Sequence, residues 1–296
     1  MTARGSRWSA GVDIPDSTWV TVQQSEFSHC GDRSPNWVNC LRVQDQASHV
    51  LVDHDWFHDC LGCDFVHGRW NRDLRLVRNR FERALPCRIG RVRCGHQDLV
   101  ELFSGDGLVV ERNRFGVYRI GGAQLYLTNS IDHVTIENNV FLGTDRLVPG
   151  YRARVGLIVG SRGFVRVPHY VKVVNNTILT GARRADGYEG SIRMSSMYGA
   201  VPRAERPLLA NNVIGVLEVP GHVCSELLQA ASNVVLKGQA CSVSDQVGDA
   251  ALGPGGRPTS ASTVLVDRAD RRYAPRVDVT GGPRDAMPDI GAFELR

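Results

Sequence analysis

Val134-Thr-Ile-Glu-Asn-Asn-Val-Phe141 holds the pattern that decides the architecture: apolar residues at the first and third places, Asn at the sixth, and a large apolar residue at the eighth. The figure recurs as Val20-Thr-Val-Gln-Gln-Ser-Glu-Phe27, Val50-Leu-Val-Asp-His-Asp-Trp-Phe57, Leu74-Arg-Leu-Val-Arg-Asn-Arg-Phe81 and Leu108-Val-Val-Glu-Arg-Asn-Arg-Phe115. It returns as Val171-Lys-Val-Val-Asn-Asn-Thr-Ile178 and Pro207-Leu-Leu-Ala-Asn-Asn-Val-Ile214. The starts lie 30, 24, 34, 26, 37 and 36 residues apart. A figure that returns at such intervals marks a solenoid, in which each repeat buries its apolar face only by stacking on its neighbours.

The first half of each copy alternates like a strand, so its apolar side chains share one face. The Asn-like place is read as the bend, because Asn tolerates left-handed backbone and bonds to neighbouring backbone. Stacked coils set equivalent residues about 4.8 Å apart. Asn79, Asn113, Asn139, Asn176 and Asn212 are therefore expected to form an interior ladder of amides, each satisfied by the next. A leucine-rich repeat would need a shorter, leucine-spaced period. The expected fold is all-β: a single right-handed parallel β-helix of about seven to eight coils. Residues 1–14 read as a tail, 15–240 as the solenoid, and 241–296 as a C-terminal segment that caps the last coil, since a solenoid end needs cover.

Composition narrows the setting. The 296 residues are 42% hydrophobic, and no apolar run is long enough to span a bilayer. The start, Met1-Thr-Ala-Arg-Gly-Ser-Arg-Trp-Ser-Ala10, lacks the apolar stretch of a signal peptide. Lys172 and Lys237 are the only lysines among 35 basic residues; guanidinium forks suit carboxylate or phosphate. A net charge of +4, with no basic tail or nucleic-acid motif, argues against nucleic acid as partner. The even set of cysteines falls into near neighbours, Cys30 with Cys40, Cys60 with Cys63, Cys87 with Cys94 and Cys224 with Cys241. Such pairs fit disulfides made in an oxidising compartment, outside the cell or on its surface. The rival reading is a zinc site, because Cys60-Leu-Gly-Cys63 has ligand spacing.

The repeat resembles that of the bacterial right-handed β-helix proteins, the superfamily of the pectate lyases. Val264-Leu-Val-Asp267, Asp278-Val-Thr-Gly281, Arg284 and Asp289-Ile-Gly-Ala-Phe-Glu294 resemble the ending of many secreted members. The resemblance spans roughly residues 15–296 and implies a carbohydrate-active protein. It also implies that substrate lies across the strand before the Asn turn, here 64–67, 98–102, 124–128, 154–158 and 191–195.

On that floor, counting back from each repeat aligns Asp64, Asp98 and Gln124 in one row and His67 with Glu101 in another. Stacked Asp64 and Asp98 would raise one pKa or recruit a cation such as Ca2+. A His67–Glu101 pair would orient an imidazole as general base. Alternation that turns Leu125 and Leu127 inward leaves Gln124, Tyr126 and Thr128 outside, yet by the same count His67 and Glu101 point inward. Cys94-Gly-His96-Gln-Asp98-Leu-Val-Glu101 is the densest cluster of useful groups and resembles the H-x-D-x-(I/V)-Q stretch of β-helix enzymes, with Glu101 in place of Gln. Arg154, Arg193 and Tyr188 stand where an acidic sugar chain would need guanidinium and aromatic partners.

Two readings follow. One is an exported, monomeric lyase acting by β-elimination on a uronic-acid polysaccharide, with His96 or His67 as base; Asp98 and Glu101 would instead suit a glycoside hydrolase. The other is a non-catalytic surface scaffold or glycan-binding protein, on which those residues would not converge.

Overall fold

The computed structural model describes residues 11–30, 39–62, 64–84, 98–116, 122–142, 155–160, 166–179, 191–219 and 221–296, together with the backbone of short strands at 2–4, 7–8, 88–89, 92–93, 183–184 and 187–188. Parallel strand pairing dominates it, and 24 strands join in one continuous sheet. Among the described residues the only α-helix is the single turn Cys224–Leu227.

Three columns of equivalent residues line the interior. Val66, Val100, Leu125, Leu157 and Ile192 stand in register along the first strand of successive coils. Val52, Leu76, Val110, Ile136, Val173 and Leu209 do so along the second. Phe27, Phe57, Phe81, Phe115, Phe141, Ile178 and Ile214 form the third. Its phenyl rings stack at centroid spacings of 4.5, 5.1, 5.0 and 4.4 Å. Each such ring removed from water contributes about 1.5–3 kcal/mol.

The amide ladder is present and longer than the sequence pattern implied. Asn113 Oδ1 accepts from the Asn79 backbone N–H at 2.8 Å, and Asn113 Nδ2 donates to the Leu76 carbonyl at 2.8 Å. The same links run through Asn139, Asn176, Asn212 and Asn233. Carboxylates terminate it: Asp55 accepts from Ser25 N–H, and Asp245 accepts from Asn233 N–H. The sharp bend belongs to the residue before each rung rather than to the ladder Asn itself. Gln24, His54, Arg78, Arg112, Asn138, Asn175, Asn211 and Ser232 all take φ between 50° and 58°. Left-handed backbone costs roughly 1–2 kcal/mol per non-glycine residue, and the ladder bonds and buried columns hold it in place. Asn175, which begins a glycosylation sequon, is wholly buried.

The chain after the last coil has two parts. Gln246–Val247 pairs with Val234–Lys237 and adds one short rung. From there the chain runs back along the flank and covers the bend residues. Asn138 Nδ2 donates to the Val277 carbonyl, Asn175 Nδ2 to the Asp289 carbonyl and Asn211 Nδ2 to the Asp270 carbonyl. Arg284 ties this segment together: its guanidinium donates to Glu294 Oε2, the Gly291 carbonyl and Asn138 Oδ1. The Asp278…Arg284…Asp289…Glu294 motif thus closes a clasp over three coils.

Cys224 and Cys241 form a disulfide. In the first coils the neighbours Cys30 and Cys40 do come together, but Cys60 joins them: the three sulfurs lie within 4.8 Å of one another, and Cys40 Sγ lies 2.9 Å from Cys60 Sγ. Cys63, Cys87 and Cys94 lie outside the described residues.

Candidate functional site

The first strand of each coil, whose inward side carries the Val66–Val100–Leu125 column, presents its other side outward. Register puts Asp13, Arg42, His67, Glu101, Tyr126, Ile158, Arg193 and Glu218 in one outward row. A second outward row, two residues further along, contains Arg69, Phe103 and Thr128.

This register corrects the sequence count by one residue. Val100 opposes Leu125, so the partner of Asp98 is Ala123 and not Gln124. Ala123 N–H accordingly donates to Asp98 Oδ1, and Asp98 N–H donates to Asp64 Oδ1 at 2.8 Å. With the count set right, the inward placement of His67 and Glu101 disappears and both face outward. Gln124 moves the other way. It is fully buried, and its Nε2 donates to the Gly116 and Leu142 carbonyls at 3.0 and 2.8 Å. Its amide satisfies turn backbone and offers nothing to a ligand outside.

Asp64 and Asp98 are buried at the strand entry, where each accepts a backbone N–H from the next coil. Burial pushes both carboxyl pKa values up, with the charge of Glu101 adding to Asp64, and those of Asp64 and Glu101 adding to Asp98. They form an acidic counterpart of the Asn ladder at another corner. Asp64 also faces the site. His67 Nδ1 lies 3.6 Å from Asp64 Oδ2 and 3.5 Å from Glu101 Oε2, ion-pair distances longer than a hydrogen bond. Burial opposes charge on the His67 ring, but the attraction of Asp64 and Glu101 outweighs it and lifts the pKa to about 9. At neutral pH this imidazole is a cation that donates protons, which is the opposite of the general base expected of it.

Asp64, His67 and Glu101 bring three ligand atoms within 4.8 Å of one another. Asp64 Oδ2 and His67 Nδ1 are buried atoms with no hydrogen-bond partner, so a cation would satisfy both. An imidazole among the donors suits a borderline ion such as Zn2+. Ca2+ takes six to eight oxygens, and this donor set does not fit it.

Arg193 stands in the outward row as expected, but its guanidinium is bonded bidentately to Glu218 at 3.0 and 2.8 Å. The carboxylate it binds is the protein's own. Tyr126 occupies the rung beyond Glu101 and is largely buried. His96 and Arg154 lie outside the described residues, as does the side chain of Tyr188.

The arginine that sequence reasoning missed is Arg69. It is exposed, its Cζ lies 4.0 Å from the Trp70 ring and 5.5 Å from that of Phe103, and no carboxylate pairs with it among the described residues. Its signal was its place two residues after His67, which puts both on one strand face. Trp70 also borders a groove of about 590 Å³ lined by Asn71, Arg72, Ser104, Asp106 and Asn129.

No family model matches the chain, and no curated protein does. Among solved structures it is similar to the pectate lyase Pel9A, with a TM-score of 0.50 at 15% identity, covering 99% of this chain and 86% of that one. A complex of XylC with xylose aligns at a TM-score of 0.47 and 12% identity, over 95% of this chain and 51% of that longer one. The Dettilon tailspike protein aligns at 0.26 and 10% identity, over 84% of this chain and 60% of that one. At 15% identity the likeness to Pel9A speaks to fold alone, and the fold is a parallel β-helix.

Proposed function

We propose that this chain is an exported, carbohydrate-active β-helix protein of seven to eight coils that cleaves a uronic-acid polysaccharide by β-elimination. The observation that carries the reading is the Arg69 guanidinium, with no carboxylate partner among the described residues, on the same outward strand face as a protonated His67. Right-handed winding is supported by the near-universal hand of parallel strand crossovers.

In this reading a uronate carboxylate lies between Arg69 and His67, whose positive charges stabilise the negative charge that develops when the adjacent C5 proton leaves. The Glu101 carboxylate takes that proton, the C5–H electron pair becomes the C4–C5 double bond, and the 4-linked oxygen departs and is protonated by solvent. Trp70 and the groove beside it give neighbouring sugar rings an apolar and polar surface. A cation held by Asp64, His67 and Glu101 would take the place of the His67 proton and engage the Glu101 carboxylate, so it would stand in place of this proton transfer and not beside it.

The test is ultraviolet absorbance of the unsaturated product, with pectins, alginates, glycosaminoglycans and bacterial uronans, each with added divalent cation and with chelator. A signal on one polymer that Arg69→Ala abolishes supports the lyase. New reducing ends without the absorbance would assign hydrolysis, for which His67 and Glu101 form an acid and a carboxylate on one face. Binding without either product would leave the surface a glycan-binding scaffold.

A further inference from the structure

Three cysteines meet at one corner of the first coils. Cys40 and Cys60 stand at the start and end of one coil, and Cys30 ends the coil before it, three residues after Phe27 as Cys60 is after Phe57. Cys40 precedes Leu41, whose partner one coil on is Val66, so Cys40 holds the place that Phe65 takes in the next coil. All three are fully buried. Their sulfurs lie within 4.8 Å of one another, Cys40 and Cys60 at 2.9 Å.

A disulfide would join two of these sulfurs and leave the third pressed against it, whereas a thiophilic cation engages all three. A cysteine where the next coil has phenylalanine frees the volume of most of a ring, in a wall otherwise built from Phe27, Phe57 and Phe65. In the sequence, moreover, Cys60 opens a Cys-x-x-Cys spacing of the kind metal sites use.

We propose that Cys30, Cys40 and Cys60 bind a thiophilic metal ion, Zn2+ foremost, that staples the first coils of the solenoid. Each thiol loses its proton to solvent as its sulfur–metal bond forms, and no electron is transferred. Sulfurs bound to one tetrahedral zinc at about 2.3 Å stand about 3.8 Å apart. Loading therefore opens the Cys40–Cys60 pair while staying within the span the trio already covers. The ion ties together rungs near one end of the stack, beyond which only the short strands Thr2–Arg4 and Arg7–Trp8 add their pairing among the described residues. The site shares no ligand with Asp64, His67 and Glu101, although Cys40 N–H donates to the Asp64 carbonyl, and it does not depend on the activity proposed for them.

The full chain, purified without chelator, is expected to hold close to one zinc per molecule by elemental analysis. Replacing that zinc with Co2+ should produce a thiolate-to-cobalt charge-transfer band in the near ultraviolet. In wild-type protein, alkylation followed by peptide mapping should label Cys30, Cys40 and Cys60 only after the metal is removed, with Cys224–Cys241 cross-linked throughout as the internal standard. Cys30→Ser should lose the metal and lower the Tm, but the wild-type measurements stand even if that variant fails to fold. A Cys40–Cys60 cross-linked peptide from protein free of zinc would overturn the proposal, as would three thiols that alkylate equally with and without chelator.

Discussion

His67 Nδ1 sits 3.5 Å from Glu101 Oε2 on the adjoining rung, and this contact, with Asp64, holds the imidazole in its charged form. A histidine whose folded pKa is raised contributes stability that is complete below its ordinary pKa near 6.5 and lost as the pH rises through about 9. Wild-type protein should therefore lose about 2–3 kcal/mol relative to His67→Gln between pH 6 and pH 10, measured by denaturant unfolding. Glu101→Gln should lower the His67 pKa in an NMR titration. A wild-type His67 that titrates near 6.5 would refute the cationic reading.

Asp55 is the acidic rung of the ladder. Burial lifts its pKa to about 7, against backbone N–H bonds that act the other way, and its Oδ2 has no hydrogen-bond partner. A carboxyl with a raised folded pKa contributes fully below its ordinary range near 4, and that contribution drains away as the pH climbs through 7. Asp55→Asn supplies an Nδ2 that can donate as Asn79 Nδ2 does to the Val52 carbonyl. It should stabilise the protein by about 3 kcal/mol at pH 8 and by little at pH 4. Equal effects at both pH values would show that the rung does not titrate.

Arg69→Ala should leave the fold unchanged by circular dichroism, since the side chain is exposed. Its affinity for a polyuronate should fall roughly tenfold to hundredfold, the value of one or two charged hydrogen bonds of about 1.5–3 kcal/mol in total. Arg193→Ala should weaken binding much less, because Glu218 already occupies that guanidinium. Calorimetric titration of both variants decides between them; a larger loss for Arg193 would move the anion site along the row.

Arg284→Ala leaves the buried Glu294 carboxylate without its cation, as the two side chains are only 2% and 3% exposed. Removing one partner of a buried pair costs about 3–5 kcal/mol. Arg284→Lys should recover little of this, because one ammonium cannot reach the carbonyls and amide that the guanidinium spans. Limited proteolysis should then release the segment after residue 248 while the coils persist. Unchanged protease resistance would mean that the clasp does not depend on Arg284.

The repeated eight-residue figure contained enough to read the coils, because a column of Phe or Asn repeats one physical demand at each rung. Where coil lengths vary, the count between strands becomes the weak step. A miscount of one residue beside Ala123 exchanged inside for outside at His67 and Glu101, while Gln124, on the outward parity, is covered by the turn carbonyls of Gly116 and Leu142. The protonation of His67 depends on Asp64 and Glu101 together, which come from two coils and one strand entry, so no local pattern carries it. Likewise, Cys60 joins Cys30 and Cys40 across a coil, which spacing along the chain does not announce. The clasp motif was visible as a string of residues, but its seat on Asn138, Asn175 and Asn211 was not, since nothing local marks an exposed bend as unfinished.

That clasp imposes an order of events. Asn138 accepts its bond from Arg284, a residue 146 places later in the chain. As the polypeptide emerges from a ribosome or a translocation pore, the coils can wind one after another while three flanking amides remain turned to water. The last bonds wait for carbonyls made 59 to 139 residues afterwards. Early winding is thus reversible, and completion of the chain is what locks it.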